Sequence, residues 1–394
     1  MKKIIFLFLF GLLSLPIFAQ PKLSEETEVS LMTSAPYDEE VFTVYGHAAI
    51  RVHDPKQKID YIFNYGIFDF SKPNFIYRFA KGETDYKLGV ANFQDYVINY
   101  QMSGSEITEQ VLNLTQQEKD AIWDALLINY KPENRVYRYN FFFDNCATRP
   151  AAILEKVILG KIDYHYPYEA KSFRDIINYC TRNHPWLTFG CDLALGSPTD
   201  REATQHEMLF IPGYLKDAFS KGTITNEDQE VRPLVKETRT IAAAPNELER
   251  NMWDIFTPMV CASLFFILIA SLTFMEWKQK KYFLTIDCIV FGVAGTAGIV
   301  LFYLSFISTH PCIWPNWSLL WLHPLHWLGV ILFCVKKLKI AANYFHFINF
   351  AALTMMLLGW YFIPQHLNTA FFPLVASVWL RSGSGFCRNI WKTK

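Results

Sequence analysis

Tyr139-Asn-Phe-Phe-Phe-Asp-Asn-Cys-Ala-Thr-Arg-Pro150 places a run of aromatic residues, a polar break and a cysteine directly ahead of helix-forming sequence. Phe141 to Phe143 read as a buried strand that Asp144-Asn145 ends, and Ala152-Ile-Leu-Glu-Lys-Val-Ile-Leu159 has helical texture. Cys146 would then stand at a strand-to-helix break. Unpaired backbone N–H groups and the positive end of a helix dipole both favour thiolate over thiol there. A free cysteine is also a common small core residue. Its setting, with Asp144 and Asn145 before it and Thr148 and Arg149 after it, argues for chemistry.

A thiol nucleophile needs a base, and imidazole is the usual partner. Of His47, His53, His165, His184 and His206, His47 is best placed. It follows Gly46 in Tyr45-Gly-His-Ala-Ala-Ile-Arg-Val52, at the mouth of a predicted strand, and Ala48 and Ala49 leave room for a second element to approach. His53 falls in a His-Asp-Pro turn, His165 and His206 lie in polar surroundings, and His184-Pro-Trp186 could wall a pocket.

Working outward, the 394 residues are 51% hydrophobic and 16% aromatic with a formal net charge of zero. That balance, with no basic stripe or nucleic-acid motif, gives no support for nucleic-acid binding, and no nucleic-acid partner is expected. The apolar residues are segregated into the C-terminal third. Residues 1–19 read as a signal peptide: Lys2-Lys3, an apolar stretch from Ile4 to Phe18, then Ala19. Residues 20–220 read as one exported domain. Its expected strands are Ala48–Val52, Ile59–Phe63, Tyr86–Ala91 and a half-buried Ile107–Leu114, and Thr115-Gln-Gln-Glu118 has capping-box spacing for a following helix. Phe173–Tyr179 and Thr199–Met208 are expected helices, and residues 221–252 an expected linker.

From residue 253 to 382 the chain reads as an all-α transmembrane domain, followed by a cytoplasmic tail, 383–394. Trp253–Phe274, Leu284–Ile307, Leu319–Val335 and Phe347–Ile363 are each long enough to cross the hydrocarbon, and Ala370–Leu380 is a shorter fifth span. Lys278 to Lys281, Lys336 to Lys339 and the basic tail fall on one side, which the positive-inside rule makes cytoplasmic. The exported domain is then outside, in agreement with the signal peptide. On that outer side His310, Asn316, His323, His326, Gln365 and Asn368 read either as interfacial anchors or as a polar rim that holds a lipid headgroup or membrane-bound substrate. Eight cysteines include no Cys-x-x-Cys pair, and no His-Glu-x-x-His occurs, so no metal or other cofactor is expected. Cys180 and Cys191 could pair or stay free. No Gly-x-Ser-x-Gly elbow lies between a strand and a helix.

These motifs together resemble the Lnb-type lipoprotein N-acyltransferases and, more broadly, the circularly permuted papain-like thiol enzymes, in which His precedes Cys. The resemblance rests on Tyr45-Gly-His-Ala-Ala-Ile-Arg-Val, Asn140-Phe-Phe-Phe-Asp-Asn-Cys-Ala-Thr-Arg, Leu193-Ala-Leu-Gly-Ser-Pro-Thr-Asp with Met208-Leu-Phe-Ile-Pro, and the multi-span tail with its Pro364-Gln-His-Leu-Asn loop. It implies an α+β papain-like periplasmic domain on an inner-membrane helical domain, with Cys146 as nucleophile and His47 as base. Asp144, Asn145 and Arg149 are the candidates for a third polar group. The implied partners are the bilayer, a phospholipid and a diacylglyceryl lipoprotein. The implied reaction is acyl transfer through a Cys thioester to an amine. A hydrolase of the same fold (amidase, peptidase or phospholipase) differs only in taking water as acceptor. A membrane sensor or scaffold would need neither Cys146 nor His47.

Overall fold

The computed structural model describes residues 22–37, 40–70, 72–165, 169, 171–243 and 255–391. The signal peptide expected at 1–19 lies outside them. In chain order the first domain comprises β1 (Glu28–Ser34), β2 (His47–Asp54), β3 (Ile59–Phe68), α1 (Phe75–Lys81), β4 (Asp85–Asn92), α2 (Phe93–Met102), β5 (Ile107–Leu112), α3 (Gln116–Tyr130), β6 (Val136–Arg138), α4 (Thr148–Val157), β7 (Lys161–Asp163), α5 (Phe173–Cys180), α6 (Pro185–Ala194), α7 (Pro212–Lys221), β8 (Thr223–Thr225), β9 (Val231–Pro233) and β10 (Val235–Ala242).

Seven of these strands form one antiparallel sheet, ordered β10-β5-β1-β2-β3-β4-β6. One face packs Leu31, Ile50, Phe63 and Leu88 against Leu126 of α3, Leu154 of α4 and Phe219 of α7. The other packs Met32, Ala49 and Ile62 against Tyr96 of α2. With both faces covered, β5 is buried along its whole length. Its polar residues find partners on both faces: Glu109 receives Arg51 at 2.9 Å, and Gln110, pointing the other way, donates to Lys216 O and Ser220 Oγ. The Thr115–Glu118 capping box forms as expected at the start of α3.

Three expectations fail here. Phe141 to Phe143 are not a strand. The chain turns back on itself, Asn140 pairing with Asp144, and Asn140 Oδ1 accepts from the N–H groups of Phe142 and Phe143. Phe142 alone is fully buried, against Phe173 and Phe210. Residues 199–208 give two short 3-10 turns, Ser197–Asp200 and Glu207–Phe210, instead of a helix. The segment read as a linker supplies β8, β9 and β10, the last pairing with β5 at the sheet edge. Its charges lie on the exposed part of that edge, where Arg239 bridges Glu28 and Glu237.

The second domain holds α8 (Pro258–Gln279), α9 (Leu284–Phe306), α10 (Leu325–Cys334), α11 (Lys339–Leu358) and α12 (Phe371–Trp391). Four helical segments among the described residues are long and apolar enough to cross a membrane: α8, α9, Trp317–Cys334 and Lys336–Leu358. The third is broken. A 3-10 turn, Trp317–Leu320, precedes Pro324, and α10 starts only after it. The fourth begins eleven residues before the expected Phe347, with a 3-10 turn, Lys336–Leu338, leading into α11. The fifth, expected to stop at Leu380, continues through Arg381. That side chain is fully buried and bonds Asp287 and Glu276, each at 2.6 Å, and Thr273 at 2.9 Å, so its charge is matched inside the bundle.

Candidate functional site

Cys146 stands two residues before the first residue of α4. The helix begins on Ala147, which has no capping side chain, so Asn145 does the capping. Its Oδ1 accepts from the N–H groups of Ala147 (2.8 Å) and Thr148 (3.0 Å), and its Nδ2 donates to Phe141 O and Phe210 O, both at 2.8 Å. The turn that carries Cys146 is thereby tied to the 207–210 segment 65 residues away. Asp144 and Arg149 form a two-pronged ion pair across the same turn, at 2.6 and 2.8 Å, and the guanidinium lies 3.5 Å from the Tyr137 ring centre.

His47 opens β2 and meets Cys146 at the end of the sheet. The two side chains adjoin each other beside Gly66, close enough for each to act on the other's charge. The far ring nitrogen, Nε2, donates to Asn64 Oδ1 at 2.7 Å, which leaves Nδ1 for the sulfur. Tyr100 of α2 stacks on the imidazole, with ring centres 6.2 Å apart. Gly66 makes room for the pair. Its φ is 113°, and a Cβ there would touch His47 Cε1 at 3.4 Å and Cys146 Cβ at 3.5 Å, in a conformation L side chains rarely adopt. A bulge between Tyr65 and Ile67 accommodates it.

Burial pushes the Cys146 thiol up, but the His47 charge and hydrogen bond, with the N–H groups of Ala48 and of Cys146 itself, bring it below the ordinary thiol value. Burial pulls His47 down, and the contact with Cys146 outweighs it and raises the imidazole. Both directions describe a thiolate–imidazolium pair. Cys180 and Cys191 are free thiols, and burial pushes them up, Cys180 to about 11. Cys146 therefore differs from its neighbours by its imidazole. The pair sits in a cavity of about 230 Å3 whose walls include Phe42, Tyr45, Phe68, Tyr86, Tyr139 and Phe141.

Of the expected site residues, the fold brings Cys146, His47 and Asn145 to this cavity, and Asp144 and Arg149 lie behind it. The His47 ring is hydrogen bonded by Asn64 and by none of the three expected candidates. Asn145 has both amide hydrogens engaged by carbonyls, and Asp144 and Arg149 neutralise each other. Asn64, the partner of that ring, was missed as a candidate. The signal was the hairpin register: continuing Ile50↔Phe63 toward the strand end sets His47 opposite Gly66, with Asn64 diagonal to it. His53, His165, His184 and His206 do not line the cavity.

The expected outer rim is not open. His310 bonds Phe79 O at 2.8 Å, Asn316 donates to Leu193 O and Ala194 O, Gln365 donates to Leu195 O and accepts from the N–H of Trp317, and Asn368 donates to Asp192. His323 and His326 stack at 3.8 Å inside the bundle, His326 on Trp321 O. These groups dock the first domain onto the loops at 307–324 and 359–370. The basic loops 278–281 and 336–339 are consequently at the opposite end of the bundle.

A thiolate–imidazole–amide relay in an α+β domain docked on membrane-spanning helices defines a membrane-anchored protein with a thiol site. Family comparison agrees: a model of the Lnb N-terminal periplasmic domain matches residues 22–179, and one of the Lnb transmembrane domain matches residues 249–393. The chain belongs to the Lnb family. Searches of curated proteins and of solved structures returned no match.

Proposed function

We propose that the protein is a thiol acyltransferase of the inner membrane that moves a fatty-acyl chain from a phospholipid ester to an amine, the N-terminal Cys of a diacylglyceryl lipoprotein. The observation that carries this reading is the Cys146–His47–Asn64 relay, aimed into an aromatic cavity of a domain docked on the outer face of the bundle. The resemblance to circularly permuted papain-like enzymes supplies the acyl chemistry. The Cys146 sulfur attacks the ester carbonyl, forming a C–S bond. The C–O bond breaks, and the imidazolium of His47 protonates the leaving alcohol. The acceptor amine then attacks the thioester, His47 takes its proton, the C–N bond forms, and the thiolate returns to its pair. Asn64 fixes the ring so that one nitrogen faces sulfur throughout. The aromatic walls keep bulk water from the thioester.

Intact-protein mass spectrometry after mixing the full chain with phospholipid and a diacylated lipopeptide tests the reading. A fatty-acyl adduct on Cys146, discharged by the lipopeptide and absent in Cys146→Ala, is expected. Discharge by water alone would make the protein a hydrolase. No adduct would leave the scaffold reading.

A further inference from the structure

α1 is a seven-residue helix, Phe-Ile-Tyr-Arg-Phe-Ala-Lys, with no buried residue. Ile76 is 83% exposed, and Phe70, just before the helix, is 67% exposed. Four of its seven residues are large and apolar, so water is a poor solvent for its outer face. Its position shows what solvent it has instead. The C-terminal end of α1 is clamped to the outer loop that follows α9: Thr309 N–H donates to Lys81 O at 2.8 Å, Thr309 Oγ1 to Gly82 O at 3.1 Å, and His310 to Phe79 O. Gly82 permits the clamp, because a Cβ there would fall 2.7 Å from His310 N. Span α9 ends at Phe306, three residues before this contact, and Phe302, Phe306 and Trp314 stack there as an exposed aromatic belt, at 4.6 and 4.5 Å. Aromatic belts mark the level of the membrane–water interface. α1 therefore lies at headgroup depth.

From α1 a continuous aromatic series runs back to the thiol. Ring centres step from Phe79 to Phe75 (6.2 Å), to Phe70 (4.7 Å), to Phe68 (5.8 Å), to Phe42 (5.7 Å). Phe68 and Phe42 line the cavity that holds Cys146.

We propose that α1 seats in the outer leaflet and that this aromatic series guides an acyl chain of a leaflet lipid into the Cys146 cavity. The seating stands on the position of α1 alone; the guiding role rests on the acyltransferase reading. An extended chain is the occupant that fits, because the series is aromatic along its length and reaches from α1 at one end to the cavity that holds Cys146 at the other.

The test uses the full chain in phospholipid nanodiscs, with p-benzoylphenylalanine placed at position 76, and at position 267 on the lipid-facing side of α8 as reference. Phospholipid adducts at position 76, within about threefold of the reference yield, are expected. Adducts to a second protein chain, or none, would overturn the seating. In the Ile76→Glu variant the rate of Cys146 acylation from nanodisc phospholipid should fall at least tenfold, while iodoacetamide alkylates Cys146 at the wild-type rate. An unchanged acylation rate, or an equal loss in both reactions, would overturn the guiding role. Should the wild-type protein form no thioester at all, the acyltransferase reading fails and the lipid adducts still decide where α1 sits.

Discussion

Replacing Asn145 separates two roles for a polar residue beside a nucleophile. Were its amide an oxyanion donor, Asn145→Ala would lower the acylation rate by about 10²–10³-fold, or roughly 3–4 kcal/mol, and leave stability intact. The structure assigns that energy to the fold. The side chain is 2% exposed and makes four hydrogen bonds of 2.8–3.0 Å, two donated and two accepted. Truncation strands two carbonyls and two N–H groups, each worth about 1 kcal/mol or more, so a loss of about 3–5 kcal/mol is expected. For a domain of this size that is a fall of about 10 °C in the unfolding midpoint. Thermal unfolding of the full chain in detergent, followed by the exposure of Cys180 and Cys191 to a thiol reagent, reads it. Asn145→Asp keeps both acceptors, loses both donors, and should fall between. An Asn145→Ala protein with an unchanged midpoint and a 100-fold slower acylation would refute the assignment.

Asn64→Ala should slow acylation about 10–100-fold and change the pH profile of Cys146 alkylation, with Asn64→Asp restoring part of the rate, because the ring loses the acceptor that fixes its tautomer. Cys146 should alkylate across a plateau. Reactivity is lost at the acid end as pH falls through the lowered thiol value, and the ion pair is lost at the alkaline end as pH rises through the raised His47 value. His47→Ala should remove the plateau and leave only the rise of an ordinary buried thiol. Arg174→Met leaves Asp192 and Asp200 without the buried guanidinium that bonds both, at 3.0 and 2.7 Å, and should cost about 3–5 kcal/mol. Limited proteolysis near Leu195 should then accelerate, since the same arginine holds Leu195 O and Gly196 O.

The legible parts of this chain were those that local physics decides. The capping box at Thr115 and the span α9 need no distant partner and form where expected, while the first hairpin turns two residues later than expected, after Asp54, and α8 ends five residues beyond the expected Phe274. The errors fall where a distant partner decides. Phe141 to Phe143 have strand composition, but Asn140 and Asn145 offer the backbone side-chain acceptors, and a turn wins over a ladder. Residues 235–242 carry the scattered charges Lys236, Glu237 and Arg239, which read as solvated linker until β5 offers them a sheet edge. Arg381 ends a hydropathy window, yet Glu276 and Asp287, 105 and 94 residues away, make it part of a span.

The same division explains the site. His47 and Cys146 carry intrinsic chemistry and could be singled out by residue type and neighbours. Asn64 has none that marks it: an amide in an aromatic strand reads as an edge residue until register places it beside an imidazole. The outer-loop residues invert the case. His310, Asn316, Gln365 and Asn368 look like a binding surface because loops at a bilayer face carry few polar groups without cause. The cause is the first domain itself: Asn316, Gln365 and Asn368 bond the Asp192–Leu195 carbonyls and carboxylate, and His310 bonds Phe79 O. α6, which carries that segment, also sets Cys191 at 3.7 Å from the Tyr45 hydroxyl, two residues before His47. The docking contacts thus tie α6, and through Cys191 the Tyr45 wall of the thiol cavity, to the loops of the second domain.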